Sequence, residues 1–422
     1  MDQGKESQKE GGLLSPYRVL DLTDEKGLLC GKLLADLGAD VIKVEKPGGD
    51  QARNIGPFYH DIVSPETSLF WFAYNTNKRS ITLDFETRDG RGIFEKLVKT
   101  ADFVVESFPP DYLAGLGLDY GSLAKINPRI IVASITAFGH TGPYARYKGS
   151  DIVVFAMGML MSQTGDRDRP PLQVSFPQSF LNASGDAAAG VMIAHHYRQR
   201  TGEGQHVDVA AMESVLWAGG EMLPEWMFLR HDGKRPGRYH VRPSAPDRPI
   251  VWDCKDGYCN FLLLAGQPGE KNNRKIVEWM EEEGKSTPYL SEKDWKKWDW
   301  TKTTREELNL ILEPFASFFK GKTKKELWDQ AVKRNISLYP VHNSKETVEN
   351  PQLAARGFWV DIKHDALNDA VIYPGPWAQF SKTPMNKWLR APLIGEHNEE
   401  VYAGELGFSK TDLRLLKAHG VI

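Results

Sequence analysis

Cysteine is scarce in this chain of 422 residues: Cys30, Cys254 and Cys259 are the full complement. Three thiols make no disulfide framework, and such usage points to a reducing, cytoplasmic compartment. Four residues separate Cys254 from Cys259 and no second ligand pair follows, so neither a zinc site nor any other metal is expected. An excess of one charge is missing too. The 53 Lys and Arg against 56 Asp and Glu leave a net −3, which gives nucleic acid or an anionic membrane no electrostatic foothold. No apolar run reaches the roughly 18–20 residues of a membrane helix. The start, "MDQGKESQKEGG", has no apolar signal-peptide core, and residues 1–14 read as a disordered tail. A G-x-G-x-x-G is also absent. Gly27 and Gly31 alone do not make a dinucleotide fingerprint, so nothing here implies nicotinamide.

What is present is an alternation of strand and helix. "RVLDL" (18–22), "DVIKVE" (40–45), "RSITLDF" (79–85), "DFVVESF" and "RIIVASITAF" read as buried strands. "GLLCGKLLADLGA" (27–39) and "RDGRGIFEKLVKTA" have apolar residues at helical spacing, with Ile93, Phe94, Leu97 and Val98 on one stripe. Short apolar strands separated by helices predict an α/β fold with a parallel sheet covered on both faces. Residues 231–250, rich in Pro, Gly and Arg, read as a linker. "VWDCKDGYCNFLLLAG" then reads as a hairpin turning at Asp256-Gly257, followed by helices to about residue 335. This part holds six of the twelve tryptophans, which suit either an aromatic ligand or a core. One stretch stands apart. In "QSFLNASGDAAAG", Asp186 follows Gly185 and precedes three alanines, and read locally it is the N-cap of a helix beginning at Ala187.

Seven segments in order, "LADLGADVIKVEKPGGDQAR", "NTNKRSITLDF", "DFVVESFPP", "INPRIIVASITAFGHTGPY", "SGDAAAG", "RTGEGQHVDV" and "RAPLIGEHNEEV", resemble the family III CoA-transferases. The group includes formyl-CoA transferase and the carnitine CoA-transferase. The resemblance covers about residues 15–230 and resumes near 335. It implies a large Rossmann-like domain made from both chain ends (15–230 and 336–422) and a small central α+β domain (251–335) reached through the 231–250 linker. It also implies two subunits threaded as interlocked rings. The substrates it implies are an acyl-CoA and a carboxylic acid. Asp186 stands at the family's catalytic aspartate, with Gly185 and the N–H groups of Ala187–Ala189 as oxyanion donors. Implied contacts for coenzyme A are Lys46, Leu83, Ser107, Phe108, Lys148, the polar cluster Asn75, Asn77, Lys78 and Arg79, and the loop residues Lys26 and Gly27.

The chain also departs from the family. The loop "TDEKGLLCG" is one residue short, lacks the usual Gly-Pro and carries Asp24 and Glu25 beside an expected CoA site. Gly115 stands where a basic residue is usual, and residues 231–260 hold no glycine run. Within the family, "LDLTDEKGLLCGKLLADLGADVIKVEKPGGD" is most similar to members built from two paralogous subunits, with succinyl-CoA as donor and an aromatic acid such as benzylsuccinate as acceptor. The dimer is then a homodimer or a heteromer, and this chain either turns over itself or supports a catalytic paralogue. A racemase of the same fold would pair the aspartate with a histidine in "GHD". Here the segment is Gly149-Ser150-Asp151, and His195 and His196 lie on the body of the Asp186 helix.

Overall fold

Apolar residues on both sides of each strand require a sheet buried on both faces, and such a sheet forms the centre of the larger of two units. The structure is a computed structural model that describes residues 12–220, 222–233, 235–242, 245–385 and 388–422. The larger unit runs to Leu160, resumes over Val174–Gly219 and closes with Pro351–Ile422. The smaller comprises Met161–Gln173 and Gly220–Asn350. The sequence reading placed the breaks at 230 and 335 and did not foresee the excursion over 161–173. Of the tail expected over 1–14, the first eleven residues lie outside the described residues. Gly12–Leu14 pack against the fold: Leu14 is buried and its N–H bonds to the Leu37 carbonyl at 2.9 Å.

In the larger unit six parallel strands, β1 (Arg18–Asp21), β2 (Asp40–Glu45), β3 (Arg79–Thr82), β4 (Phe103–Glu106), β5 (Ile131–Thr136) and β6 (His206–Ala210), take the order β3-β2-β1-β4-β5-β6. That is the doubly wound Rossmann order, with its reversal between β1 and β4. β6 was not read as a strand from the sequence. Between and after these strands lie α1 (Leu28–Asp36), α2 (Leu69–Asn75), α3 (Arg88–Val98), α4 (Tyr112–Gly115), α5 (Tyr120–Ile126), α6 (Asp151–Met157), α7 (Leu160–Gln163), all but the first residue of which belongs to the smaller unit, α8 (Ser179–Thr201) and α9 (Ala211–Ala218). Side-chain alternation splits the strands between two cores. Leu20, Ile42, Ile81, Val104 and Val132 pack with α3, while Val19, Val41, Phe103, Val105 and Ile131 pack with α1 and α8. The stripe Ile93, Phe94, Leu97 and Val98 is buried as its spacing predicts, and Thr87 caps that helix by accepting the Gly90 N–H at 3.0 Å.

The C-terminal segment covers the β3 edge, which would otherwise present unpaired backbone groups. The Thr82 N–H bonds to the Asn398 side-chain oxygen at 2.9 Å, and the Tyr402 hydroxyl donates to the Thr82 carbonyl at 2.6 Å. Arg79 ties the same strap through Glu400 and Glu405. The "RAPLIGEHNEEV" motif is therefore built into the fold. It places the Pro392 carbonyl on Arg53 (3.0 Å) and on the Trp71 indole (3.1 Å).

The smaller unit has a three-stranded sheet, order 338–340, 257–261, 251–254, covered by helices Gly266–Glu282, Arg305–Lys320 and Lys324–Arg334. The hairpin forms as read, but Gly257 already pairs with Cys254, so the turn is Lys255-Asp256. Five of the six tryptophans, Trp252, Trp279, Trp295, Trp298 and Trp300, fill this unit's core. Part of the expected linker is a β-ribbon of Tyr239–Arg242 against Ala245–Pro249.

The strap gives a direct test. Tyr402→Phe removes one donor from a buried carbonyl, so urea unfolding should show a loss of about 1–3 kcal/mol.

Candidate active site

A doubly wound sheet binds its ligand outside the carboxyl ends of the strands where the order reverses, which here means the loops after β1 and β4. The loop after β1 is fixed from below by buried charge. Asp21 accepts from the Thr23 N–H (3.0 Å) and hydroxyl (2.6 Å) on one oxygen and from Lys78 Nζ (2.8 Å) on the other. Lys78 also donates to the Leu28 carbonyl (2.8 Å) and the Asn75 side chain (2.9 Å), and Lys43 binds the Thr23 carbonyl and, at 3.0 Å, Asp50. Burial alone would raise the Asp21 pKa, but Lys78 and Lys43 hold it below the ordinary carboxylate value. Burial pulls Lys78 down against the same pairing. Gly31 makes room for the pair, because a Cβ there would lie 2.1 Å from the Asp21 carboxylate.

So held, the loop bridges to its neighbours. The Asp24 carboxylate accepts the Ser107 hydroxyl at 2.7 Å, and the Asp24 N–H returns a bond to Ser107 Oγ at 2.9 Å, joining the ends of β1 and β4. Ser184 Oγ on α8 donates to the Lys26 carbonyl at 3.2 Å. Lys26 Nζ pairs with Asp24. Crowding by protein atoms, then Asp24, raises the Glu25 pKa. Gly27 occupies the N-cap position of α1 and offers no side-chain cap; its carbonyl accepts the Cys30 N–H at 2.9 Å, while the Leu28 and Leu29 N–H groups have no capping side chain there.

The helix carrying Asp186 is not the one the local sequence implied. α8 begins at Ser179, so Asp186 is in its interior, and the N–H groups of Ala187–Ala189 belong to the intrahelical ladder. Asp186 is therefore no N-cap, and Gly185, like Ala187–Ala189, has its N–H inside the helix and does not supply the oxyanion donor expected of it. The cap comes from Asp151, whose carboxylate accepts the N–H groups of Ser179 (2.8 Å), Phe180 (3.3 Å) and Gln178 (3.3 Å). Ala183, Ser184, Ala187 and Ala188 face the core, while Asp186 is exposed and makes no hydrogen bond or ion pair among the described residues. Nothing lies within 4 Å of where a Gly185 Cβ would stand. His195, one helical face away, is buried against Tyr17 and bonded to Arg198 at 2.8 Å, and His196 is exposed.

The expected CoA contacts separate into two sets. Lys46 reaches Glu86 at 2.8 Å in an exposed pair, and the Tyr112 hydroxyl donates to the same carboxylate at 2.5 Å. The Phe108 ring lies 4.7 Å from Tyr112 and 5.9 Å from Phe85. Lys148 is exposed and unpaired among the described residues. Leu83 is fully buried in the sheet core. Asn75 and Lys78 turn inward, with the Lys78 donors all used by the fold, and Arg79 is spent on Asp40, Glu400 and Glu405. Asn77 bonds Asp36 at 2.8 Å. For the "NTNKRS" cluster the CoA-binding reading gives way to a structural one. Sequence reasoning missed Glu86, Tyr112 and Asp151. Glu86 carried no signal of its own in the sequence: it lies four residues beyond the Thr82 end of β3, and the turn taken after that strand brings it to Lys46.

Among the described residues no group of three or more His, Cys, Asp or Glu is arranged to hold a metal ion, and no helix is long and apolar enough to cross a membrane.

Comparison with known proteins gives a consistent result. A family model, CoA-transferase family III, matches residues 14–398. The chain is 34% identical to the succinyl-CoA:(R)-benzylsuccinate CoA-transferase subunit BbsE of Thauera aromatica, over 97% of this chain and 98% of that protein. It is 33% identical to a formyl-CoA:oxalate CoA-transferase of Streptomyces coelicolor, over 97% and 99%. A CAIB/BAIF family protein from Brucella suis has a crystal structure similar to this one, with a TM-score of 0.79 at 29% identity, covering 94% of this chain and 100% of that one.

The buried pair generates a prediction with a definite sign. With Asp21 and Glu45 both held below ordinary carboxylate values, the unfolded chain takes up their protons first as pH falls. Their contribution to stability is complete above about pH 5 and is lost progressively below about pH 4. Lys78→Met strips Asp21 of its ion-pair partner, so urea unfolding at pH 7 should show a loss of about 3–5 kcal/mol. That deficit should narrow as pH falls, because an unpaired buried Asp21 is neutralised more readily in the fold than in the unfolded chain.

Proposed function

The chain belongs to CoA-transferase family III, and from that premise we propose that it moves coenzyme A from an acyl-CoA donor to a carboxylic acid with Asp186 as nucleophile. One observation carries this reading. A carboxylate that is exposed and, among the described residues, unpartnered stands in a helix interior, where aspartate is a poor former, beside a glycine that leaves the approach open. In the proposed sequence Asp186 attacks the thioester carbonyl, the C–S bond breaks, and an aspartyl–acyl anhydride and CoA thiolate form. The thiolate attacks the aspartyl carbonyl and releases the donor acid, leaving an aspartyl–CoA thioester. The acceptor carboxylate displaces CoA to give a second anhydride, and the thiolate then attacks the acceptor acyl carbon and restores Asp186. No step moves a proton, so a lone carboxylate without a paired base suffices. For the developing oxyanion we assign the uncapped start of α1 at Gly27, whose loop is bonded to α8 through Ser184.

The CoA body is assigned to the sheet end beyond it, with Lys46 and Lys148 as phosphate partners, Ser107 in the connecting loop and Phe108 with Tyr112 as an apolar slot. The relatives' names pair succinyl-CoA with benzylsuccinate and formyl-CoA with oxalate, so both named acceptors are dicarboxylic acids. We therefore favour succinyl-CoA as donor and a dicarboxylate, such as the aromatic benzylsuccinate, as acceptor. A second chain completes the enzyme in this reading. Trp217, 85% exposed, supports that, as do exposed Trp226, Met227, Phe228 and Leu229 in the smaller unit. An interlocked dimer is the arrangement proposed, in the reducing cytoplasm where three free cysteines persist. The reading in which a paralogue holds the active aspartate draws on Asp24 and Glu25, acids beside an anionic ligand's expected seat.

Asp186→Ala should lower transfer by about 10³-fold or more. Stability in urea should be unchanged or higher by up to ~0.7 kcal/mol, since alanine suits a helix better. After incubation with succinyl-CoA, mass analysis should find a hydroxylamine-sensitive adduct on Asp186. Label only on a copurified second chain would favour the supporting-subunit reading, and full activity in Asp186→Ala would end the nucleophile assignment. Gel filtration with mass analysis of native material should give a dimer and show whether its chains are identical.

A further inference from the structure

The helix that carries Asp186 starts just after the chain returns from the smaller unit: residues 161–173 belong there, and the larger unit resumes at Val174. A helix entered from such an excursion needs something to fix where its first turn begins. Its own N-cap residue, Gln178, makes no side-chain capping bond. Asp151 supplies the anchor from before the excursion. Its carboxylate takes three consecutive N–H groups, of Gln178, Ser179 and Phe180, at 3.3, 2.8 and 3.3 Å. The Asp151 backbone carbonyl accepts the Ser179 hydroxyl at 3.1 Å, and Ser179 is fully buried. Two bonds from one residue to another set both the axial position and the rotation of the first turn. Through the rigid ladder of the helix they set the Asp186 carboxylate two turns on.

Resting on the nucleophile reading above, we propose that Asp151 is a positioning residue for the transfer reaction: it fixes the register of α8 so that Asp186 meets the thioester carbonyl at attack distance. Asp151 touches neither substrate. Its negative charge at the helix start also satisfies the N–H groups there, so that end of α8 is closed to a phosphate. Nucleophilic attack tolerates little misplacement, and a shift of about 1 Å costs on the order of 10²-fold in rate. None of the CoA contacts assigned above lies on α8, and Lys148 alone is near Asp151 in the chain, so loss of the anchor should act mainly on turnover and leave binding of the donor largely intact.

The test compares Asp151→Ala and Asp151→Asn with wild type, each purified with whatever partner it brings, using succinyl-CoA and benzylsuccinate. For Asp151→Ala we expect kcat to fall by ~10- to 100-fold while KM for succinyl-CoA changes by less than about 3-fold, with slower labelling of Asp186 in a single turnover. Asp151→Asn keeps an oxygen for the Ser179 and Phe180 N–H groups and should recover most of kcat. A wild-type kcat in Asp151→Ala overturns the proposal. So does a loss of activity that only follows the fraction of protein unfolded in a parallel urea titration, or an Asp151→Asn no better than Asp151→Ala. Absence of label on Asp186 in the wild-type protein overturns the nucleophile reading itself. Label there together with an unaffected Asp151→Ala overturns the role of Asp151 alone.

Discussion

Three buried charges, at the end of β1, within β2 and just before β3, are the constraint around which the candidate site is arranged. Asp21, Lys43 and Lys78 are all out of solvent, and desolvating them carries a cost that only close pairing and full hydrogen bonding offset. The offset is spread across four segments. Lys78 reaches the strand end at Asp21, the start of α1 at Leu28 and the end of α2 at Asn75, while Lys43 holds the Thr23 carbonyl and Asp50. A loop held this way has little freedom, which explains why "TDEKG" can be short and still meet both Ser107 and Ser184. It also fixes Gly31, since any larger residue would push a Cβ into the carboxylate.

Helix α8 receives the other half of the arrangement. Its inner face of Ala183, Ser184, Ala187 and Ala188 lets it lie close on the sheet, and its Gly202 takes the left-handed conformation that ends it. A small-residue helix face brings backbone near backbone, so the outward Asp186 is held by the whole helix rather than by contacts of its own. That division matters chemically: a nucleophilic carboxylate must keep its oxygens available, and its position must then come from elsewhere. Interior aspartate lowers helix stability by a few tenths of a kcal/mol, a small cost beside the packing of the face beneath it.

Much of this fold was legible because the physics was local. Continuous apolar strands such as "DVIKVE" and the stripe of α3 announce burial by their spacing alone. β6 escaped because His206, Asp208 and their neighbours read as polar. The start of α8 escaped for a more instructive reason. Gly185 and the alanines looked like a helix beginning, whereas the true cap, Asp151, lies 28 residues from Ser179 in sequence and no window reveals it. The lysines show the same limit. Lys46, Lys78 and Lys148 are equivalent letters beside equivalent motifs, yet one is exposed and paired, one is sealed inside and one is exposed and, among the described residues, unpaired.

Burial is what sorts these cations into two kinds. A buried pair such as Lys78–Asp21 or Arg53–Glu45 cannot exchange partners without stranding a charge at low dielectric, so it serves the fold and nothing else. An exposed pair such as Lys46–Glu86 is worth about 1 kcal/mol or less, and a phosphate group bearing more charge can displace the carboxylate at that small cost. Lys26 with Asp24 falls between, half-shielded and tied to Ser107. Acids beside the expected CoA seat are thus no argument against an anionic ligand, provided their partners sit where water can mediate the exchange. The edge holding Lys46 meets that condition, and the floor beneath the loop, where Asp21 and Lys78 are locked together, does not.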